Sequence, residues 1–173
     1  PNNDLIKILN ELKLEGKKIG IEYNAYGLTG KNAILLNKSL GKNYKNSYNK
    51  KLLNRYKKFL NFRVIGMGGS ILGTQAIYDF LGYKIKKKFQ FINNLDSSFK
   101  NNTKKKFVNL IVSKSGNTIE TIANVNLFVK KIDHNIFITE NKKSYLFHLA
   151  NKLKSEIIHH NNFIGGRYSV LSE

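Results

Sequence analysis

From Asn61 onward, short apolar runs alternate with segments of helical period, and no other feature constrains the fold of this chain so tightly. The runs are FRVIG (62–66), FQFIN (89–93), FVNLIV (107–112), NIFIT (135–139) and EIIHH (156–160). Each is long enough for one strand and too short for a helix, and most carry β-branched or aromatic side chains. Apolar residues at neighbouring positions suit strands covered on both faces, as in a parallel sheet. Helical patterns fill three of the intervals, over Ser70–Leu81, Thr118–Lys131 and Ser144–Lys154. This order predicts an α/β fold over residues 62–173, a doubly wound parallel sheet in a Rossmann-like three-layer sandwich. The interval NLDSSFKNNTKKK reads as a loop with at most one helical turn.

Residues 1–61 have a different texture and read as a mainly helical N-terminal segment. DLIKILNELKL places Leu5, Ile8, Leu9 and Leu12 on one helix face, at i, i+3, i+4 and i+7. Glycines at 16, 20, 27 and 30 break that period, and KSLGKNYKNSYNKK reads as a connector. KKLLNRYKKFL predicts a second amphipathic helix with Leu52, Leu53, Tyr56 and Leu60 turned inward. Tyr44, Tyr48 and Tyr56 among the lysines could stack on nucleic-acid bases, but helix packing with the phenol at the edge accounts for them more simply.

The formal charge of +19 raises the question of a nucleic-acid partner. Of the 30 basic residues 27 are Lys, and only Arg55, Arg63 and Arg167 are Arg. Base readout and bidentate phosphate contacts favour arginine. The lysines accompany 24 Asn and abundant Ile, as a compositional drift would produce. The expectation is a solvated lysine-rich surface and no specific nucleic-acid partner. With no cysteine, and with His134, His148, His159 and His160 lacking any HExxH-type spacing, no metal site is expected. No apolar run reaches the ~18 residues of a membrane span, and PNNDLIKILN is unlike a secretory signal, so a cytoplasmic protein is expected. The absence of an initial Met and an ending within SVLSE suggest a fragment truncated at the C-terminus.

Open α/β sheets bind ligands beyond the carboxyl ends of their strands, and the informative residues fall there. In VIGMGGSILG, Gly66, Gly68 and Gly69 allow a sharp turn and close ligand approach, with Ser70 at the start of the next helix. A dinucleotide fingerprint fits poorly, because Ile71 stands where the third glycine belongs and the second strand ends in FINN without an acidic residue. In VSKSGNTIET, Ser113, Ser115 and Thr118 supply three hydroxyls, and Gly116 permits a nest of backbone amides at a helix N-terminus. That combination suits a phosphate dianion. Thr118 also suits a plain N-cap, and Lys114 could act through its charge or through its amide alone. In FIGGRYSVLS, Gly165 and Gly166 precede Arg167, whose guanidinium could hold a developing oxyanion or pin the turn to a carboxylate.

GMGGSILG, SKSGNTIET and GGRYSVLS, in this order and spacing, resemble the glucose-6-phosphate isomerases over residues 60–173. The middle motif is shared across sugar-isomerase (SIS) domains, whereas GGRYSVLS is more specific to the phosphoglucose isomerases. The resemblance implies reversible isomerisation of glucose 6-phosphate and fructose 6-phosphate through a cis-enediolate, with no cofactor, in a homodimer when full length. It implies that Ser113, Ser115 and Thr118, with the Lys114 amide and the Gly116 turn, grip the phosphate. Gly69 and Ser70 would line the sugar site, and Arg167 would stabilise the enediolate. The family's glutamate base, and its ring-opening histidine and lysine, have no matching position here. Neither Glu120 nor Glu173 fills the role of base, so residues 1–173 alone are expected to bind poorly and catalyse nothing. Another SIS-domain isomerase or a sugar-phosphate-sensing regulator would keep the middle motif without GGRYSVLS.

Overall fold

The computed structural model describes residues 48–95 and 106–160. Helix α1 spans Lys50–Tyr56, and the Asn49 side chain caps it by accepting from the Lys51 amide. Strand β1 (Asn61–Ile65) leads through a 3₁₀ turn (Gly68–Ser70) into α2 (Leu72–Leu81), and β2 follows at Lys88–Ile92. After β3 (Val108–Val112) come α3 (Ile119–Phe128), β4 (His134–Glu140), α4 (Tyr145–Leu153) and β5 (Glu156–His160). All five expected strands are present, each within a residue or two of its expected bounds. They form one parallel sheet in the order β2-β1-β3-β4-β5. From β1 the chain passes outward to β2, and from β3 it passes the opposite way to β4 and β5. The carboxyl ends of β1 and β3 therefore flank the point where the winding reverses, the usual ligand crevice of a sheet in this order.

Side-chain alternation divides the core between the two faces of the sheet. On one face Ile65, Ile92, Ile111 and Phe137 pack under α3 and α4, meeting Val125, Phe128, Leu146 and Ala150. On the other, Phe62, Val108 and Ile136 meet Tyr56 of α1, and Tyr78 of α2 lies against Phe89 and Phe91. Beside α1 this second face opens into an apolar cavity of about 510 Å³, floored by Leu110, Ile136, Ile138 and Ile158.

Three expectations need correction. Leu53 and Leu60 are exposed (54% and 63%): Leu53 sits within α1 at the edge of the apolar cavity, and Leu60 falls beyond the helix, which ends at Tyr56. Phe59 takes the inward place instead, with its ring 4.7 Å from that of His134. The helix expected from Ser70 begins at Leu72, since Gly68 at φ +53° starts a tighter turn ahead of it. The helix expected to reach Lys131 stops at Phe128, where a polar turn captures the chain: the Lys130 amide donates to Asp133 Oδ2, and Asn135 Nδ2 donates to the Lys130 carbonyl. Below that turn lies buried Arg63, its guanidinium 4.4 Å and 4.9 Å from the Phe107 and Phe128 ring centroids. It donates to Gln90 Oε1 and the Phe128 carbonyl, and burial lowers its pKa against the opposing pull of Asp133.

Candidate functional site

The two glycine-containing loops meet where the winding reverses. A Cβ on Gly66 would lie 2.9 Å from the Val112 carbonyl and 3.4 Å from Ser70 Cβ, so glycine lets the end of β1 lie against the end of β3. Beyond it, the amides of Ser70 and Ile71 donate to the carbonyls of Met67 and Gly68. These two amides are spent inside the turn, which leaves the Ser70 hydroxyl as the group that residue can offer.

The chain does not leave β4 at once after β3. The Ser113 amide donates to the Ile138 carbonyl, and the Lys114 carbonyl accepts from the Glu140 amide at 3.1 Å and from Thr139 Oγ1 at 3.3 Å. The turn then closes on Ser113, as the Gly116 amide donates to both its carbonyl and its Oγ at 3.2 Å. Gly116 sits at φ +66°, and a Cβ there would collide with the Ser144 side chain. Two further bonds seat the loop on the start of α4: Leu146 N–H donates to the Gly116 carbonyl, and Tyr145 N–H to Asn117 Oδ1.

Thr118 occupies the N-cap position of α3, yet its side chain caps no helix amide. Its Oγ1 lies 3.2 Å from Ser113 Oγ instead. The first-turn amides of a helix have no intrahelical partner, so two hydroxyls and the positive end of the α3 dipole meet at one point. Ser113 is almost fully buried while Thr118 is partly exposed, as a pocket floor and rim would be. Ser115, at the exposed tip, accepts from the Asn117 amide at 3.2 Å. This arrangement can hold a tetrahedral oxyanion with neutral donors, a role that needs no capping hydroxyl.

The Lys114 side chain goes elsewhere. Its Nζ lies 3.5 Å from Oε1 of buried Glu140, and Lys142 Nζ lies 4.0 Å from Oε2. Glu140, Asn117 and Ser144 were not singled out as site residues by the sequence reading. Glu140 had one available signal, an acidic residue directly after a strand whose other polar ends were already of interest. The contacts of Asn117 and Ser144 join segments 28 residues apart, and local pattern cannot reveal them. Arg167, with Gly165 and Gly166, lies outside the described residues, as does the rest of GGRYSVLS.

No family model matches the chain. The glucose-6-phosphate isomerase of Methanocaldococcus jannaschii is 36% identical over 135 residues, covering 69% of this chain and 33% of that protein. That of Borreliella burgdorferi is 29% identical over 197 residues, 92% of this chain and 37% of that protein. The chain thus spans about a third of the length of these relatives. Among solved structures, hypothetical protein TT0462 from Thermus thermophilus matches at TM-score 0.63 and 19% identity, over 99% of this chain and 42% of that one. Tagatose-6-phosphate ketose/aldose isomerase from Escherichia coli matches at TM-score 0.53 and 19% identity, over 84% of this chain and 41% of that one. At such identities the structural matches speak for the fold, and they agree with the SIS-type α/β architecture.

Proposed function

We propose that this chain, which belongs to the glucose-6-phosphate isomerase family, grips the phosphate of glucose 6-phosphate and fructose 6-phosphate while the sugar is interconverted between aldose and ketose. One observation carries the reading: Ser113 and Thr118 turn their hydroxyls to each other, 3.2 Å apart, at a helix N-terminus that neither caps. An arriving phosphate breaks that mutual bond, and each hydroxyl then donates to a phosphate oxygen. The Lys114 amide, Ser115 and the Gly116 turn complete the grip. Binding a group remote from the reacting carbons orients C1 and C2.

At the reacting end a base removes the C2 proton of the open-chain aldose. The electron pair is left in a cis-enediolate, the O2 hydroxyl proton passes to O1, and the abstracted proton returns at C1. The charge on the enediolate is met by Arg167, while Gly69 and Ser70 line the sugar side. The base, and the groups that open the ring, come from residues outside this sequence. The same reading makes the full-length enzyme a cytoplasmic homodimer that needs no cofactor.

A loop built for phosphate does not choose among sugars, so the rival is an SIS-domain protein for another phosphosugar. One structure of this fold, Vibrio vulnificus NanR, is described in complex with ManNAc-6P. The deciding experiment offers glucose 6-phosphate, fructose 6-phosphate, tagatose 6-phosphate and N-acetylmannosamine 6-phosphate to the full-length protein and measures turnover and binding. Conversion between the first two alone is expected. Turnover of another sugar phosphate in their place, or binding without turnover, would reject the reading.

A further inference from the structure

We infer that Glu140 is a positioning residue that keeps the phosphate grip neutral by holding the Lys114 ammonium away from it. The inference rests on the phosphate-loop reading above. Strand register pairs Val112 with Ile138, and two residues on, the Glu140 amide still donates to the Lys114 carbonyl. That bond keeps Lys114 and Glu140 side by side beyond the end of β3, which stops at Val112. The ammonium therefore lies beside the carboxylate at 3.5 Å while the hydroxyl faces the N-terminus of α3. Glu140 is only 8% exposed, and its second oxygen has Lys142 at 4.0 Å. A buried carboxylate is costly unless paired, and Glu140 has both lysines beside it.

A phosphate gripped by neutral donors and a helix dipole is bound moderately and can be released. A free ammonium beside it would add a charge-assisted bond that is present equally in substrate, transition state and product. Such uniform binding lowers KM without raising kcat.

The test is Glu140→Gln in the full-length protein, an almost isosteric change that frees Lys114. Inorganic phosphate should bind roughly 10-fold more tightly, the lower end of what one hydrogen bond to a charged group supplies. Its affinity should also fall more steeply with salt. KM for glucose 6-phosphate should drop with no gain in kcat. Adding Lys114→Met to Glu140→Gln should cancel the increase, and Glu140→Asp, which keeps the charge, should stay near wild type. Unchanged or weaker phosphate binding in Glu140→Gln, or a gain that survives Lys114→Met, would overturn the inference. Ser113→Ala in the wild-type background separates the two claims: if it leaves phosphate binding intact, the phosphate-loop reading itself has failed.

Discussion

Gly116→Ala should destabilise the fold far more than Gly68→Ala, although both glycines have positive φ. Gly116 lies at φ +66° and Gly68 at φ +53°, so alanine meets similar backbone strain at each, about 1–2 kcal/mol. Alanine also loses less entropy on folding than glycine, and that offset is common to both sites. The surroundings differ. Nothing lies within 4 Å of a Cβ on Gly68, whereas one on Gly116 overlaps the Ser144 hydroxyl and comes within 2.8 Å of Ser144 Cβ and 2.9 Å of Thr139 Oγ1. Ser144 caps α4 by accepting from the Phe147 amide, and displacing it forfeits roughly 1 kcal/mol. Moving the loop instead would strain the bonds from Leu146 and Tyr145 to Gly116 and Asn117. The expected loss is therefore about 2–4 kcal/mol at 116 and about 1 kcal/mol at 68. Urea unfolding followed by far-ultraviolet circular dichroism, with m-values checked for constancy, measures both. Equal losses in the two variants would refute the claim that Ser144 and Thr139 close tightly on the loop.

Arg167→Lys and Arg167→Ala in the full-length enzyme should lower kcat in that order, the alanine by roughly 10²-fold, with KM moving less; wild-type kcat in a folded Arg167→Ala protein would leave the arginine a structural pin. Burial, reinforced by Glu156 and opposed by Arg55, raises the Tyr56 pKa above 10.0, so the fold keeps the proton that the unfolded chain releases. Stability from this source is intact below the unfolded pKa and is lost as pH rises past about 10, so wild type should lose more stability than Tyr56→Phe between about pH 9 and about pH 11. Parallel losses would show that the phenol contributes nothing. Duplex DNA should bind the full-length protein weakly and be released by ~200 mM salt, whereas sequence-selective binding that survives such salt would reverse the reading of the lysines.

The sheet was legible because β1, β3 and β4 read as short, mostly apolar runs, interrupted only at Arg63 in β1 and at Asn109 in β3 and bounded by polar or glycine residues. Their ends were legible too, since glycines and hydroxyls cluster there for reasons of backbone geometry. Where elements stop was harder to read. The exit of α3 at Val129 depends on Asp133 and Asn135, and the end of α1 at Tyr56 interrupts a period that the sequence continues to Leu60. Lys114 could not be assigned from sequence, because its partner Glu140 lies on the neighbouring strand. The buried place of Arg63 was equally hidden: an arginine inside an apolar run reads as a surface interruption until Phe107, Phe128 and Gln90 close around it.

The most direct test of the central claim is the kinetics of Ser113→Ala combined with Thr118→Ala in the full-length enzyme. Each hydroxyl that bonds the phosphate is worth on the order of 1.5–3 kcal/mol. KM for glucose 6-phosphate should therefore rise at least 10-fold for each hydroxyl removed, with a smaller fall in kcat as the sugar loses its alignment. An unchanged KM in a variant that unfolds like wild type would mean that the facing hydroxyls of Ser113 and Thr118 do not hold the phosphate.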